Sequence, residues 1–395
     1  MRSIYKCATV TIVAAIANSA SAGFLHRIEE SLYFIEPISI PYCPYSSTSD
    51  RQANIIISYP ADYKRWKDPI NDRAWTFQEL LLSTRAIIFS YRGISMIDRT
   101  NRPSANGMTS GRDPQLPSLP WNGLLFSLSQ SSVNARQMWL NIRGEYSMRN
   151  LSYQGDKLLA ISAIAEELGH SYESRYLAGM WESNLAEELQ WSCLPSENTD
   201  GRGIAKRKPR PKEYVAPSWS WASVDANVSA SMFFEEDGAD EDERPFKGTL
   251  DFEVISCHVE LSVPGFDYGA VKSGVLKVRG RLCVLTWRPH ENDSIFGNHE
   301  TDGFLTSPVH ENPLYSEETV GGGVIDALDP ELHNGVLVTC IATRLVGGIY
   351  DKDQVDGLML LAVGKEHYRR VGSFQLTVDG PGPFMHATLK VISIV

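Results

Sequence analysis

The residue best placed by type and spacing to do chemistry is Glu79, in the string Trp75-Thr76-Phe77-Gln78-Glu79. A carboxylate beside an indole and a carboxamide has the makings of a general acid or base in a pocket. The same glutamate follows Thr76 by three residues, the spacing of a helix capping box, and that structural reading is favoured. Trp219 and Trp221, on either side of Ser220, are the second candidate. In a strand, alternation predicts both indoles on one face, where they could stack a sugar or a base. A pair of core anchors joining two layers is the favoured reading. The strings G-x-S-x-G, H-E-x-x-H and G-x-G-x-x-G and a phosphate-binding P-loop are all absent. Gly321-Gly322-Gly323 has no helix after it to hold a phosphate and reads as a loop. His367-Tyr368-Arg369-Arg370 reads as a solvated turn. The 6 Cys (Cys7, Cys43, Cys193, Cys257, Cys283 and Cys340) contain no C-x-x-C and no metal-ligand spacing from a His. Buried reduced thiols are expected, with no metal and no cofactor.

The elements that would position these residues follow from periodicity. Residues 75–82 predict a helix with Leu80, Leu81 and Leu82 as its buried face, ended by Arg85, and residues 86–89 predict a buried strand. A helix feeding a strand is the second half of a βαβ unit. Further strands are predicted at residues 10–14 and 55–59. Residues 120–192 read as helical. Asp156 predicts the cap of a helix whose Leu158, Leu159, Ile161, Ile164, Ala165 and Leu168 share one face, with Gly169 as its stop. Asn184 and Glu187 are spaced as a capping pair for a short helix with Leu185 and Leu189 inward. Residues 251–261, 274–285, 335–345, 357–364 and 387–395 are strand-like runs between Gly, Pro and Asp turns. The fold class is therefore α+β: a partial α/β region at 1–100, a helical region at 101–213 and a mostly antiparallel β-rich region at 214–395.

The net charge of −11 excludes a general basic field for nucleic acid. The prolines of the basic run at 205–212 predict an exposed linker rather than a nuclear localisation signal, and the acidic run at 235–243 reads as a solvated loop. No apolar run is long enough for a membrane span.

Beyond physical patterning, residues 73–89 resemble the W-T-x-Q-E-x-L-L-x-x-R signature of the fungal heterokaryon incompatibility (HET) domain. It is carried here by Trp75, Thr76, Gln78, Glu79, Leu81, Leu82 and Arg85. Residues 156–165, from Asp156 and Lys157, resemble the D-K-x-x-A-[LI]-S-G-I-A segment that follows that domain, with Ala163 for the usual Gly. YLAGMW at 176–181 resembles Y-x-A-G-L-W. APSWSWASVD at 216–225 resembles P-S-W-S-W-A-S. HYRRVGSF at 367–374 resembles a terminal Y-R-R-[IV]-G.

The resemblance implies a role in non-self recognition, in which such proteins trigger cell death when incompatible strains fuse. It implies a protein partner and a cytoplasmic location. The family's fold has been compared with nucleotide- and NAD-handling domains of the TIR type, and on that comparison Glu79 is the catalytic candidate. The opening family motifs, Y-x-x-L-S-Y-x-W-G and W-I-D-x-[LI]-C-I-x-Q, are absent. Met1, Ile4, Tyr5 and Ala8, then residues 10–15, match the next segment, so an N-terminally truncated HET domain is expected. The same residues also read as a secretory signal: basic at 1–6, apolar at 7–17, then Ala20-Ser21-Ala22 before Gly23. With the tryptophans, that supports the alternative of a secreted hydrolase or carbohydrate-binding protein. The cytoplasmic reading, with residues 1–22 retained, is favoured.

Overall fold

A computed structural model describes residues 2–25, 38–42, 53–57, 68–90, 93–98, 101–105, 108–109, 132–197, 204–205, 207–229, 246–248, 251–290, 301–307, 319–347, 353–378, 382–384 and 387–395. Cys43 and the acidic run at 235–243 lie outside the described residues. The chain divides into two compact units, Met1–Phe126 and Ser127–Val395. Most of the helical region expected at 101–213 thus shares a unit with the β-rich region.

In the first unit, α1 (Arg2–Lys6) precedes β1 (Thr11–Val13), and α2 (Ala74–Leu82) precedes β2 (Arg85–Ser90). β1 lies parallel to β2, with Ile12 opposite Ile87, the arrangement expected of a βαβ crossover. Val13, Ala15 and Ala86 form the buried contact, with Ile70, Leu80 and Ile88 packed against it. β3 (Gly93–Asp98), β4 (Asn101–Ala105) and β5 (Met108–Thr109) extend the sheet antiparallel. The strand expected at 55–59 is found at Ala53–Ile57 and pairs with Ile38–Tyr42 as a separate two-stranded ladder.

α2 departs from expectation at both ends. Its N-cap is Arg73, and no side chain caps it. The Thr76 hydroxyl donates to the carbonyls of Ile70 (2.7 Å) and Arg73 (2.8 Å), so the turn before the helix takes it and no capping box forms. The helix ends at Leu82, and Arg85 opens β2. Ala74, Phe77, Gln78, Leu81 and Leu82 are buried, Leu80 is partly so, and Trp75 is half-buried.

The second unit opens on helices α3 (Ser132–Ser147), α4 (Ser162–Tyr172) and α5 (Leu185–Glu188). Asp156 does not cap α4. It closes the short turn Gln154–Asp156, and its carbonyl accepts the Ala160 N–H (2.8 Å). Gly169 does not stop α4, which runs on to Tyr172 and ends where Glu173 turns to φ +45°. The glycine is needed for space: a Cβ there would lie 2.2 Å from the Tyr268 hydroxyl. Asn184 holds the N-cap position of α5 without a side-chain bond, and Glu187 pairs with Arg136 at 2.5 Å. Leu185 and Leu189 face inward as expected.

The β-rich part contains β6 (Phe246–Gly248), β7 (Glu253–Leu261), β8 (Val271–Pro289), β9 (Gly303–Thr306), β10 (Thr319–Ile325), β11 (Leu337–Gly347), β12 (Asp353–Ala362), β13 (His367–Val378) and β14 (Thr388–Ile394). All pair antiparallel except β13 with β14. The pairings β8–β9–β10–β13–β12–β11–β8 return to their starting strand, so six strands close a barrel. β8 is long enough to leave the barrel, and its first half pairs with β7 and β14.

Side chains fill the barrel, as strand number dictates for small barrels. Leu285, Trp287, Leu305, Cys340, Met359 and Phe374 belong to one buried cluster, and Phe384 stacks on Phe374 at 5.7 Å. The glycine run expected as a loop is strand β10. A Cβ on Gly323 would meet the Trp287 ring at 2.7 Å, so small residues here make room for a large one opposite. Among the described residues no helix is long and apolar enough to cross a membrane.

Candidate functional site

Residues 156–165, 176–181 and 367–374 all converge on residues 216–225 in one buried hub. Its first part is a tight hairpin, with Tyr176 opposite Trp181 and Leu177 opposite Met180. Ala178 and Gly179 at its tip have φ of +49° and +97°, the sign a two-residue hairpin turn requires. Residues 216–225 grip both tip carbonyls: Ser220 Oγ donates to Ala178 O at 2.5 Å, and Trp221 Nε1 to Gly179 O at 2.8 Å. A Cβ on Gly179 would also lie 2.7 Å from Trp221 Nε1. Gly179→Ala is therefore expected to destabilise this unit by about 2–4 kcal/mol, read from its urea midpoint. A midpoint equal to wild type would show that this grip does not exist.

Residues 216–225 are not the expected strand. Ser220 Oγ accepts the Ala222 N–H at 3.0 Å and caps a short turn, Trp221–Ser223. A serine that bonds its own backbone competes with a β ladder. The indoles therefore do not share a strand face, and both are fully buried. Trp221 packs edge-on to Tyr146. The Trp219 carbonyl accepts the Trp191 indole N–H at 2.9 Å. Neither indole offers a face for a sugar or base to stack on.

Lys157 enters the hub from the turns before α4. It is 4% exposed; its Nζ donates to Val224 O and lies 5.3 Å from the Trp221 ring centre. Burial lowers its pKa from 10.5 to about 8. Between those values the folded chain binds fewer protons than the unfolded one. The stability this group contributes is full above pH 10.5 and lost as pH falls through about 8. Wild-type stability is therefore expected to rise by roughly 3 kcal/mol from this group over that window. Lys157→Met should lack that rise, and identical pH slopes in the two proteins would contradict the assignment.

His367-Tyr368-Arg369-Arg370 is not a solvated turn but the start of β13, and Arg370 is fully buried. Its Nε donates to Asp326 Oδ2 at 3.1 Å, Nη1 to Leu189 O at 2.6 Å and Nη2 to Trp191 O at 2.5 Å. The guanidinium lies 3.6 Å over the Trp191 ring, and its backbone N–H donates to Ser218 Oγ at 3.0 Å. Burial lowers the Arg370 pKa and raises that of Asp326, and each charge opposes the other's shift.

The basic run is an exposed linker only in part: Lys208, Pro209 and Lys212 are exposed, but Arg207 and Arg210 are built in. Arg207 donates to the carbonyls of Leu194 (2.7 Å) and Cys193 (3.0 Å) and pairs with Asp302. Arg210 donates to Arg370 O at 2.7 Å and pairs with Asp329 at 3.2 Å.

A second buried pair, Arg143 with Glu188 at 3.6 Å, had not been expected. Glu188 Oε1 accepts the Trp181 N–H at 3.0 Å, and burial raises its pKa. The Trp139 indole N–H helps to hold that pKa down without reaching hydrogen-bond geometry. Arg143 was detectable in principle, because it shares the helical spacing of the apolar residues Trp139, Ile142 and Tyr146.

Glu79, in the first unit, is half-buried on α2. Burial raises its pKa, while the Tyr5 hydroxyl and Arg73 lower it. Tyr5 comes from α1, so the carboxylate ties the two helices. Cys7, Cys193, Cys257, Cys283 and Cys340 are all free thiols, and no group of described residues is arranged to hold a metal. The hub's bonding side chains are taken up largely by backbone carbonyls. It is a clasp between layers and presents no nucleophile, acid or base to a ligand. Comparison of the chain with family models, with curated proteins and with solved structures found no match.

Proposed function

We propose that this chain is a recognition or signalling protein of the heterokaryon incompatibility type, with a protein as its partner. The observation that carries the reading is the convergence of four separate sequence segments, each similar to one in HET proteins, on a single clasp. Lys157, the Ala178-Gly179 tip, Ser218 to Trp221 and Arg370 bond one another directly or through the Val224 and Trp191 carbonyls. Chance resemblances scattered along a chain have no reason to meet in space. A cytoplasmic location with residues 1–22 retained is part of the proposal. It is supported by β1, which pairs with β2 and buries Val13 within the stretch a signal peptidase would remove. The test is regulated expression in a filamentous fungus, scored by vital-dye exclusion. Growth arrest with dye uptake, abolished by clasp variants, is expected. Full viability at high levels of soluble protein, paired with an incompatible strain or not, would overturn the proposal.

A further inference from the structure

Two cysteines stand opposite each other on a seam of the barrel. Where β8 pairs with β11, Cys283 faces Cys340. Directly opposed residues of an antiparallel ladder put their side chains on the same face of the sheet. Here that face is the barrel interior: Cys340 belongs to the buried cluster, and Cys283, partly buried, packs against it. Both are free thiols. Cys193 faces Val228 and Cys257 faces Leu276, so among the described residues no other cysteine is paired across a ladder with a second one. A single cysteine in a strand is explained by packing. A facing pair has a second chemistry open to it.

The ladder geometry admits a disulfide. The Trp287 N–H donates to the Val336 carbonyl at 2.9 Å, and the register runs without a bulge from there back to Cys283. Hydrogen-bonded pairs recur at every second residue, so Cys283 and Cys340 form one of them, with Cα atoms about 5.5 Å apart. A disulfide accepts Cα separations of about 4.4–6.8 Å and Cβ separations of about 3.5–4.5 Å. Opposed Cβ atoms in such a ladder lie about 4.5–5.5 Å apart. The strands must draw in by up to ~1 Å, and a bond made that way is easily reduced. Burial raises the pKa of both thiols, that of Cys340 well above its ordinary value. Little thiolate is present at neutral pH, so the pair stays reduced until a strong oxidant is supplied.

We propose that Cys283 and Cys340 are a reversible disulfide site, at which a peroxide locks β8 to β11. The partly exposed Cys283 sulfur attacks the peroxide O–O bond. It takes one oxygen as a sulfenic acid, and one water leaves. The Cys340 sulfur then attacks the Cys283 sulfur. The S–S bond forms, the S–O bond breaks, and the hydroxide leaves with the Cys340 proton as a second water. Two thiols lose two electrons, and one hydrogen peroxide becomes two waters. The proposal does not rest on the recognition reading. The test treats the folded full chain with hydrogen peroxide, alkylates it in denaturant and maps its peptides after cleavage at glutamates, which separates the two cysteines. A linked pair of fragments carrying Cys283 and Cys340 is expected, released by reduced glutathione. The link should raise the urea midpoint of the second unit by about 1 M. Cys283→Ser should show neither link nor rise. No linked pair at a peroxide level that oxidises the exposed Cys7, a link that forms only in the urea-unfolded chain, or a midpoint that does not rise on linkage would each overturn the proposal.

Discussion

Replacing Trp219 and Trp221 together by alanine is expected to open the second unit to limited proteolysis, with cleavage across residues 214–395 at protease concentrations that wild type resists. Each indole is fully buried, and a buried Trp→Ala change costs about 3–5 kcal/mol. The two sites share partners, so the losses will not simply add. Even one and a half such losses approach the whole stability of a typical domain, about 5–15 kcal/mol. The effect should spread because the Trp221 indole holds the 176–181 hairpin, while the Trp219 ring packs against Gly274 at the start of β8. Wild-type resistance in the double variant would mean the indoles are not the joint.

Arg370→Met should be nearly as damaging, by roughly 3–5 kcal/mol, because it leaves Asp326 as a buried carboxylate without its closest cation. It also strips the donors from the carbonyls of Leu189 and Trp191. Arg370→Lys is not expected to rescue. An ammonium cannot reach three acceptors in one plane while stacking on an indole. Adding Asp326→Asn to Arg370→Met should recover part of the loss, because it removes the stranded charge. Urea midpoints for the four proteins decide the matter. A lysine variant as stable as wild type would show that only charge, and not the planar fork, is used.

The parts legible in the sequence were those with strong local periodicity. Helix α2, the strands near 10–14 and 86–89, and five of the C-terminal strands follow from apolar spacing, whereas the parallel pairing of the first two is a finding of the structure. Closure of the barrel was not legible. It depends on β10, whose glycines look like a loop until Trp287 is placed opposite them. It also depends on β13, whose Arg369-Arg370 looks like a surface until Asp326 and Trp191 are in place. Charged residues read as solvated by default, and Lys157, Arg143 and Arg370 are all exceptions. Each is buried because acceptors far away in sequence converge on it, and no local window contains them. The capping boxes at Thr76 and Asn184 failed for a related reason. A tertiary contact or a preceding turn had already set the helix start.

The central claim is that the clasp makes the helices and the barrel of the second unit one cooperative structure. Native-state hydrogen exchange tests it most directly, by following the Leu168 amide in α4 and the Met359 amide in β12 at increasing subdenaturing urea. If the clasp joins them, the two opening free energies converge on one value with one denaturant slope, as they do for amides that exchange through a shared unfolding. The clasp would be contradicted if Leu168 opened with a smaller slope and a lower free energy while Met359 stayed protected at every urea concentration.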